Sequence, residues 1–276
     1  MPGTLFVVAT PIGNLADVSA RGLDTLRKAS FIACEDTRRS RVLLSHYGIS
    51  KETVSLPAFA ERQRAAGILE RLRAGEDCAL ITDAGSPGVS DPGEALISAA
   101  IESGIRVTPI PGASAAIAAL TASGLPSGRF HFLGFLPRQK SDRVKLLAEV
   151  EPLPSTLVLY EAPQRLVDCL KDLLAALGPR RACVARELTK VHEEFVRGTL
   201  AELVERYEGA QVRGEIVAVV EGRTGSARWS EEEVRSALEE GLGRGEPLKA
   251  LSKELARRSG WSAQALYRLG LSSSRR

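Results

Sequence analysis

From Thr4 to about Ile110, short apolar runs alternate with stretches whose apolar residues recur at helical spacing. Leu5–Thr10 is a compact apolar run closed by Pro11 and Gly13, the signature of a buried strand. Phe31–Cys34, Ala79–Thr82 and Arg106–Ile110 read as further strands. Between them, Leu23–Ala29, Glu61–Arg73 and Gly93–Ser103 carry charges on one side and read as helices. Strand alternating with helix predicts an α/β layer built on a largely parallel sheet.

Pro111-Gly112 interrupts this rhythm, and Ala113–Ser123 follows as a small-residue helix closed by Gly124-Leu125-Pro126. A second alternating block places strands at Arg129–Phe135, Thr156–Tyr160, Ala182–Arg186 and Glu215–Val220. Helices are predicted over Leu166–Leu177 and Leu200–Tyr207, and the block reads as a mixed sheet with its own core. After Gly222-Arg223-Thr224-Gly225-Ser226 the composition shifts again. Ser230 with Glu233 forms a capping-box pattern, and helices are expected near Glu231–Glu240, Pro247–Arg258 and Ser262–Leu269. The expected organisation is an α/β domain over 1–112, a second α/β domain over 113–225, and a helix-turn-helix-like module over 229–270.

Composition narrows the class. A chain of 276 residues with 44% apolar and 26% charged positions has enough apolar material for sizeable cores. The net charge of +3 is small, but its placement is uneven. Ser226–Arg276 holds 10 Lys+Arg against 7 Asp+Glu, and the preceding part of the chain balances 27 against 27. Cys34, Cys78, Cys169 and Cys183 lack metal-ligand or disulfide spacing, and three lie in apolar runs, so reduced core thiols are expected. His192-Glu193-Glu194 offers a single histidine with no second ligand at helical spacing, and no metal is expected. The chain enters Leu5–Ala9 without a basic leader, and no apolar stretch is long enough to span a bilayer, so a cytoplasmic protein is expected.

The densest chemical signal is Thr82-Asp83-Ala84-Gly85-Ser86-Pro87-Gly88-Val89-Ser90-Asp91-Pro92-Gly93, lying between a predicted strand and a predicted helix. Its glycines permit unusual backbone angles and close approach to a ligand. Its acidic and hydroxyl side chains supply polar contacts. Thr10–Leu15 and Pro109–Ala115 occupy equivalent strand-end positions, where open α/β sheets bind ligands. No GxGxxG or Walker A sequence occurs, which disfavours the usual dinucleotide and nucleoside-triphosphate sites.

Leu5–Leu15, Asp83–Gly93 and Pro111–Ala115, in this order and spacing, resemble the tetrapyrrole methylase superfamily. Ala9–Leu15, Cys34-Glu35-Asp36-Thr37-Arg38 and Tyr160-Glu161-Ala162-Pro163-Gln164-Arg165 are similar to its branch that acts on small-subunit ribosomal RNA. Where the wider superfamily often has Gly-Asp-Pro, this chain has Asp83-Ala84-Gly85-Ser86-Pro87, a departure that fits the rRNA branch. The resemblance implies the two-domain fold of class III S-adenosylmethionine (SAM) methyltransferases, with SAM in the cleft between the domains, and usually a homodimer. It further implies 2′-O-methylation of a cytidine in the decoding region of 16S rRNA in the small ribosomal subunit. Carried over by motif, it puts Pro11, Asp83, Ala84, Gly85, Ser86, Val89, Ser90, Ser114 and Ala115 on one side of the SAM. Tyr160, Glu161, Gly214, Glu215 and Ile216 close the other side.

Methyl transfer to a hydroxyl is an in-line displacement that needs alignment above all, and a nearby base helps a weak nucleophile. Candidate bases are Glu35, Asp36, Glu161 and Glu187, of which the Glu35–Asp36 pair is favoured for its place at a strand end. Arg38, Arg39 and Arg41 form the densest basic cluster of the first half and are candidate phosphate contacts, as are Arg186 and Lys190 in the second. Lys249, Lys253 and Arg257 recur every four residues on one helical face, opposite Leu248, Leu251 and Leu255. A basic stripe of this kind suits an RNA backbone. Trp261 and Tyr267 are expected to anchor the tail bundle. Two rival readings are a methyltransferase acting on a tetrapyrrole or other small molecule, and a non-catalytic RNA-binding protein with a vestigial SAM fold. The Glu35–Arg41 segment and basic tail argue against the first, and the intact loops against the second.

Overall fold

In a computed structural model, residues 1–224 and 229–273 are described, without the side chains of 257, 258, 272 and 273. The first sheet contains β1 (Thr4–Val8), β2 (Phe31–Cys34), β3 (Thr53–Ser55), β4 (Cys78–Ile81) and β5 (Arg106–Ile110). Their order is β3-β2-β4-β1-β5, and every pairing is parallel. The connecting helices are α1 (Ala20–Lys28), α2 (Thr37–His46), α3 (Glu61–Arg73) and α4 (Glu94–Glu102).

Parallel strands demand crossovers, and these lie on both faces of the sheet. One face is covered by Ala65, Ile68 and Leu72 of α3 with Leu96 and Ala100 of α4. The other is covered by Leu26 of α1 and Leu44 of α2, packed on Val8, Ile32 and Ile81. β1 leaves through α1 towards β2, whereas its neighbour β4 leaves through α4 towards β5. The two connections diverge to opposite faces. A crevice therefore opens beyond the carboxyl ends of β1 and β4, the topological switch point at which open α/β sheets bind ligands.

α5 (Ala115–Ala122) leads to the second sheet, made of β6 (Phe130–Phe135), β7 (Thr156–Glu161), β8 (Arg181–Arg186), β9 (Glu194–Thr199) and β10 (Ile216–Val220). The order is β6-β7-β10-β8-β9, with only β6 and β7 parallel. α6 (Lys140–Val150), α7 (Leu166–Leu177) and α8 (Leu200–Tyr207) cover one face around Leu147, Leu170 and Leu203. The alanines of α5 cover the other face, where Ala116 and Ala119 meet Val158, Cys183 and Val217. Ile12 from the β1 loop joins this same cluster, so the first loop packs on the second sheet.

The tail is a trio of helices, α9 (Glu231–Gly243), α10 (Leu248–Ser259) and α11 (Ala263–Ser273). Ser230 and Glu233 complete a capping box at α9. Val234, Leu238, Leu251, Leu255 and Leu266 form its small core. The Trp261 indole donates to the Trp229 carbonyl at 2.7 Å, whereas Tyr267 remains 40% exposed.

Four elements go beyond the sequence reading: α2, β3, α6 and β9. The helices begin with polar runs, Thr37–Arg41 and Lys140–Arg143, and β3 is three residues long. All four cysteines are buried and free. Among the described residues no helix is long and apolar enough to cross a membrane.

Candidate functional site

The loops after β1 and β4 are stitched together at the switch point. Thr10 N–H donates to the Gly85 carbonyl at 2.8 Å, and Gly85 N–H returns a bond to Thr10 at 3.1 Å. The Thr10 hydroxyl donates to the Thr82 carbonyl at 3.1 Å. Gly85 has φ of +79°, a conformation that suits a residue without Cβ. Ser90 adopts φ of +63° although it is not glycine, a local strain of the kind that collects at binding sites.

A cavity of about 380 Å³ lies between this loop and the second sheet. That size falls within the range of roughly 300–1,000 Å³ for small-molecule sites. Ala84, Gly85, Ser86, Val89 and Ser90 form the first wall. Ser114 and Ala115, at the start of α5, join it. The opposite wall brings Tyr160 and Glu161 from the end of β7, and Gly214, Glu215 and Ile216 from the approach to β10. The Tyr160 ring packs edgewise on Phe132 and Phe135, with centroids at 5.0 and 5.6 Å. Its hydroxyl accepts from the Ala116 N–H at the α5 terminus, and burial pushes the phenol pKa up.

Several lining residues were missed by the sequence reading, notably Ile12, Asp91, Phe135, Leu188 and Val217. Ile12 and Asp91 lay inside quoted motifs and could have been named. Phe135 and Leu188 carry no local signal, because a fold is needed to bring them to the crevice. Two named residues do not line the cavity. Pro11 is buried outside the cavity wall, and Asp83 turns towards Arg39, with an ion pair at 3.1 Å.

Among the described residues no Lys or Arg lines the cavity, whereas Asp91, Glu161 and Glu215 do. Glu161 is 2% exposed; one oxygen accepts from Ala162 N–H at 2.8 Å and pairs with Arg165 at 3.3 Å. Its other carboxylate oxygen is buried with no hydrogen-bond partner among the described residues. This donor set repels phosphate-rich ligands and suits one that carries positive charge. Ala84, Gly85, Ala115 and Gly214 carry small side chains or none, which leaves room for a nucleoside beside these carboxylates. A sulfonium-bearing nucleoside such as SAM fits both features.

The favoured bases stand elsewhere. Asp36 is the N-cap of α2, accepting from Arg38 N–H at 2.8 Å and pairing with the Arg38 guanidinium at 2.9 Å. Those bonds to Arg38 hold its carboxyl at a pKa of about 2, too acidic to take a proton usefully near neutrality. Burial, reinforced by Asp83, raises the Glu35 pKa, but Glu35 is not in the cavity wall. Glu187 is held by Lys190 at 2.9 Å and by Glu215 N–H at 2.9 Å, and the bond from Lys190 lowers its pKa.

The basic candidates divide in the same way. Arg38, Arg39 and Arg41 are exposed on the first turns of α2, and Arg41 has no ion-pair partner among the described residues. Arg186 instead pairs with Glu194 at 3.0 Å, and Lys190 bridges Glu187 and Glu215 at 2.9 and 3.1 Å. These two are tied into the loops that carry Leu188 and Glu215. Lys249 and Lys253 are exposed on α10, while the Arg257 side chain lies outside the described residues. No cluster of three or more potential metal ligands occurs among the described residues.

The chain matches the model of the Tetrapyrrole (Corrin/Porphyrin) Methylases over residues 4–204. It is 45% identical over 266 residues to ribosomal RNA small subunit methyltransferase I of Mesorhizobium japonicum, covering 96% of this chain and 90% of that protein. The chain belongs to the tetrapyrrole methylase family. The like-named Synechocystis protein is 42% identical over 272 residues, covering 98% of both chains. Members of the tetrapyrrole methylase family use SAM as methyl donor, and this chain is a SAM-dependent methyltransferase of that fold. Diphthine synthase superposes with a TM-score of 0.62 at 19% identity, over 80% of this chain and 91% of that one. A Thermus thermophilus uroporphyrin-III C-methyl transferase complexed with S-adenyl homocysteine gives 0.57 at 20% identity, over 79% and 97%. These two likenesses establish the tetrapyrrole methylase architecture alone.

Proposed function

We propose that this tetrapyrrole methylase family member methylates ribosomal RNA of the small subunit, at the ribose 2′-hydroxyl of a cytidine in the decoding region of 16S rRNA. The observation that carries the reading is the junction of two unlike surfaces. A cavity that favours a cation, with no Lys or Arg in its wall among the described residues, opens beside the α2 surface, to which Arg39 ties its loop through Asp83. The names of relatives at 42–45% identity over nearly the whole chain support small-subunit ribosomal RNA as the substrate.

SAM, when bound, supplies a methyl group made electrophilic by the adjacent sulfonium. The protein's own task is alignment, and positioning alone lowers such barriers by roughly 7–11 kcal/mol. Gly85 and Ala115 let backbone groups approach the nucleoside, while Tyr160 and Phe135 bound it with aromatic edges. The arginines of α2 hold RNA phosphates and so bring a ribose to the cavity mouth. Lys249 and Lys253 extend the same grip from the tail. The working form is a cytoplasmic homodimer.

The test is transfer of labelled methyl from SAM to undermodified small ribosomal subunits, to free rRNA and to a tetrapyrrole precursor, read by nucleoside mass spectrometry. A 2′-O-methylated cytidine is expected. Label on the tetrapyrrole alone would overturn the RNA assignment and leave the methyltransferase fold standing.

A further inference from the structure

Asp91 lies in the cavity wall, directly after Ser90 with its positive φ. It has no ion-pair or hydrogen-bond partner among the described residues, unlike Asp83 beside it, which Arg39 holds at 3.1 Å. α4 begins three residues later, and two amides of its first turn are taken by another carboxylate. Glu61 accepts from Gly93 N–H at 3.0 Å and from Leu96 N–H at 3.1 Å. Asp91 is thus left as a carboxylate with free lone pairs, bordering the cavity on one side. On the other it neighbours Glu35 and Asp83, and through Asp83 the exposed Arg39 of α2.

We propose that the Asp91 carboxylate accepts the proton of the substrate hydroxyl, an inference that rests on methyl transfer to an RNA ribose. A phosphate held on Arg39, which pairs with Asp83, brings the attached ribose towards the wall that carries Asp91. In the step, a hydroxyl lone pair forms the new O–C bond to the methyl carbon. The C–S bond breaks, and its electron pair stays on sulfur as a neutral thioether. The hydroxyl proton passes to Asp91, which later returns it to water.

The surroundings give the carboxylate a suitable strength. Burial pushes its pKa up to about 6, with the charges of Glu35 and Asp83 adding to the rise. Tyr160 faces it across the cavity, and Arg39 counters Asp83 from α2. A base with pKa near the working pH combines a deprotonated form with real proton affinity.

The experiment compares wild type, Asp91→Asn and Glu35→Gln on undermodified small subunits between pH 5 and 9. Binding of S-adenosylhomocysteine is measured by calorimetry, and rRNA binding separately. For Asp91→Asn we expect kcat to fall by about 10²–10⁴-fold, with both affinities within about threefold and the acid limb of the rate profile gone. For Glu35→Gln the limb should move to lower pH, because one repelling charge has been removed from Asp91. A near-normal rate in Asp91→Asn, or a fall in cofactor affinity that matches the fall in rate, would overturn the proposal. Carbon-13 NMR of labelled aspartates reads the carboxyl without any substrate: the resonance lost in Asp91→Asn should titrate near 6, and titration near 4 would also sink it. Wild type inactive on rRNA, with that titration still near 6, counts against the substrate and not against the carboxylate.

Discussion

Arg39 reaches from the first turn of α2 to Asp83 beyond the end of β4, with 3.1 Å between guanidinium and carboxylate. This pair joins the basic surface of one helix to the loop that walls the cavity. Arg39 is 73% exposed along its side chain and Asp83 18%, so solvent screens the pair and its contribution to stability is about 0–1 kcal/mol. A guanidinium held there by so weak a bond is free to accept an RNA phosphate.

Arg39→Gln is therefore expected to leave the melting temperature nearly unchanged and to weaken rRNA binding several-fold. The slope of log affinity against log salt should lose about one unit, as one phosphate contact disappears. Filter binding across a salt series measures both. Loss of SAM affinity with unchanged rRNA affinity would instead make Arg39 a brace for Asp83.

Asp91 links stability to pH in the opposite sense from a salt-bridged carboxylate. Its folded pKa of about 6 stands above the ordinary value of 3.8. Between about pH 4 and 6 the native state keeps a proton that the unfolded chain releases, so stability falls as pH rises through that window. Asp91→Asn should match wild type at pH 4 and exceed it at pH 8 by about 1 kcal/mol, discounted for partial exposure. That corresponds to a rise of about 2–4 °C in melting temperature. Calorimetric scans at the two pH values check this, and an equal gain at both would mean that the charge is not the cause.

The tail offers a separable contribution. Lys249 and Lys253 are exposed on α10, while Leu251 and Leu255 on its other side are 2% and 3% exposed. Neutralising both lysines to glutamine should lower rRNA affinity and reduce the salt slope by about one to two units. SAM affinity should stay unchanged. Unchanged rRNA binding in the same assay would make this a solvated helix face.

β2 and β4 were legible because buried parallel strands are short, wholly apolar runs, as in Cys78-Ala79-Leu80-Ile81. The glycine loop was legible because its backbone angles restrict composition. α2 was not, since Thr37-Arg38-Arg39-Ser40-Arg41 reads as loop until Leu43 and Leu44 find a sheet to cover. β9, at the edge of its sheet, was hidden by the exposed Arg197, by Gly198 and by half-burial of its other residues. The roles of Asp36 and Asp91 were illegible for an electrostatic reason. A carboxylate's strength depends on partners that folding supplies, Arg38 for one, and Glu35 with Asp83 for the other. Lys190 likewise resembles a surface cation until Glu187 and Glu215 converge on it.

Gly13 marks where the two halves of the cleft touch. A Cβ at this position would lie 2.6 Å from Lys190 Cγ, 2.9 Å from Thr189 Oγ1 and 3.0 Å from the Leu188 carbonyl. The lysine stem can move, but it is held by Glu187 and Glu215, and the carbonyl belongs to a loop whose Glu187 and Thr189 already adopt positive φ. Gly13→Ala must therefore push the 187–190 loop outward, and Leu188 with it, which lines the cavity. Overpacking of this kind costs about 1–3 kcal/mol. Part of that cost should appear as weaker SAM binding, by about tenfold in calorimetry, although no residue of the cavity wall has been altered. Combining Gly13→Ala with Lys190→Ala should recover part of the affinity by vacating the space at Cγ. No recovery would mean that the Leu188 carbonyl, and not the lysine stem, sets the spacing of the cleft.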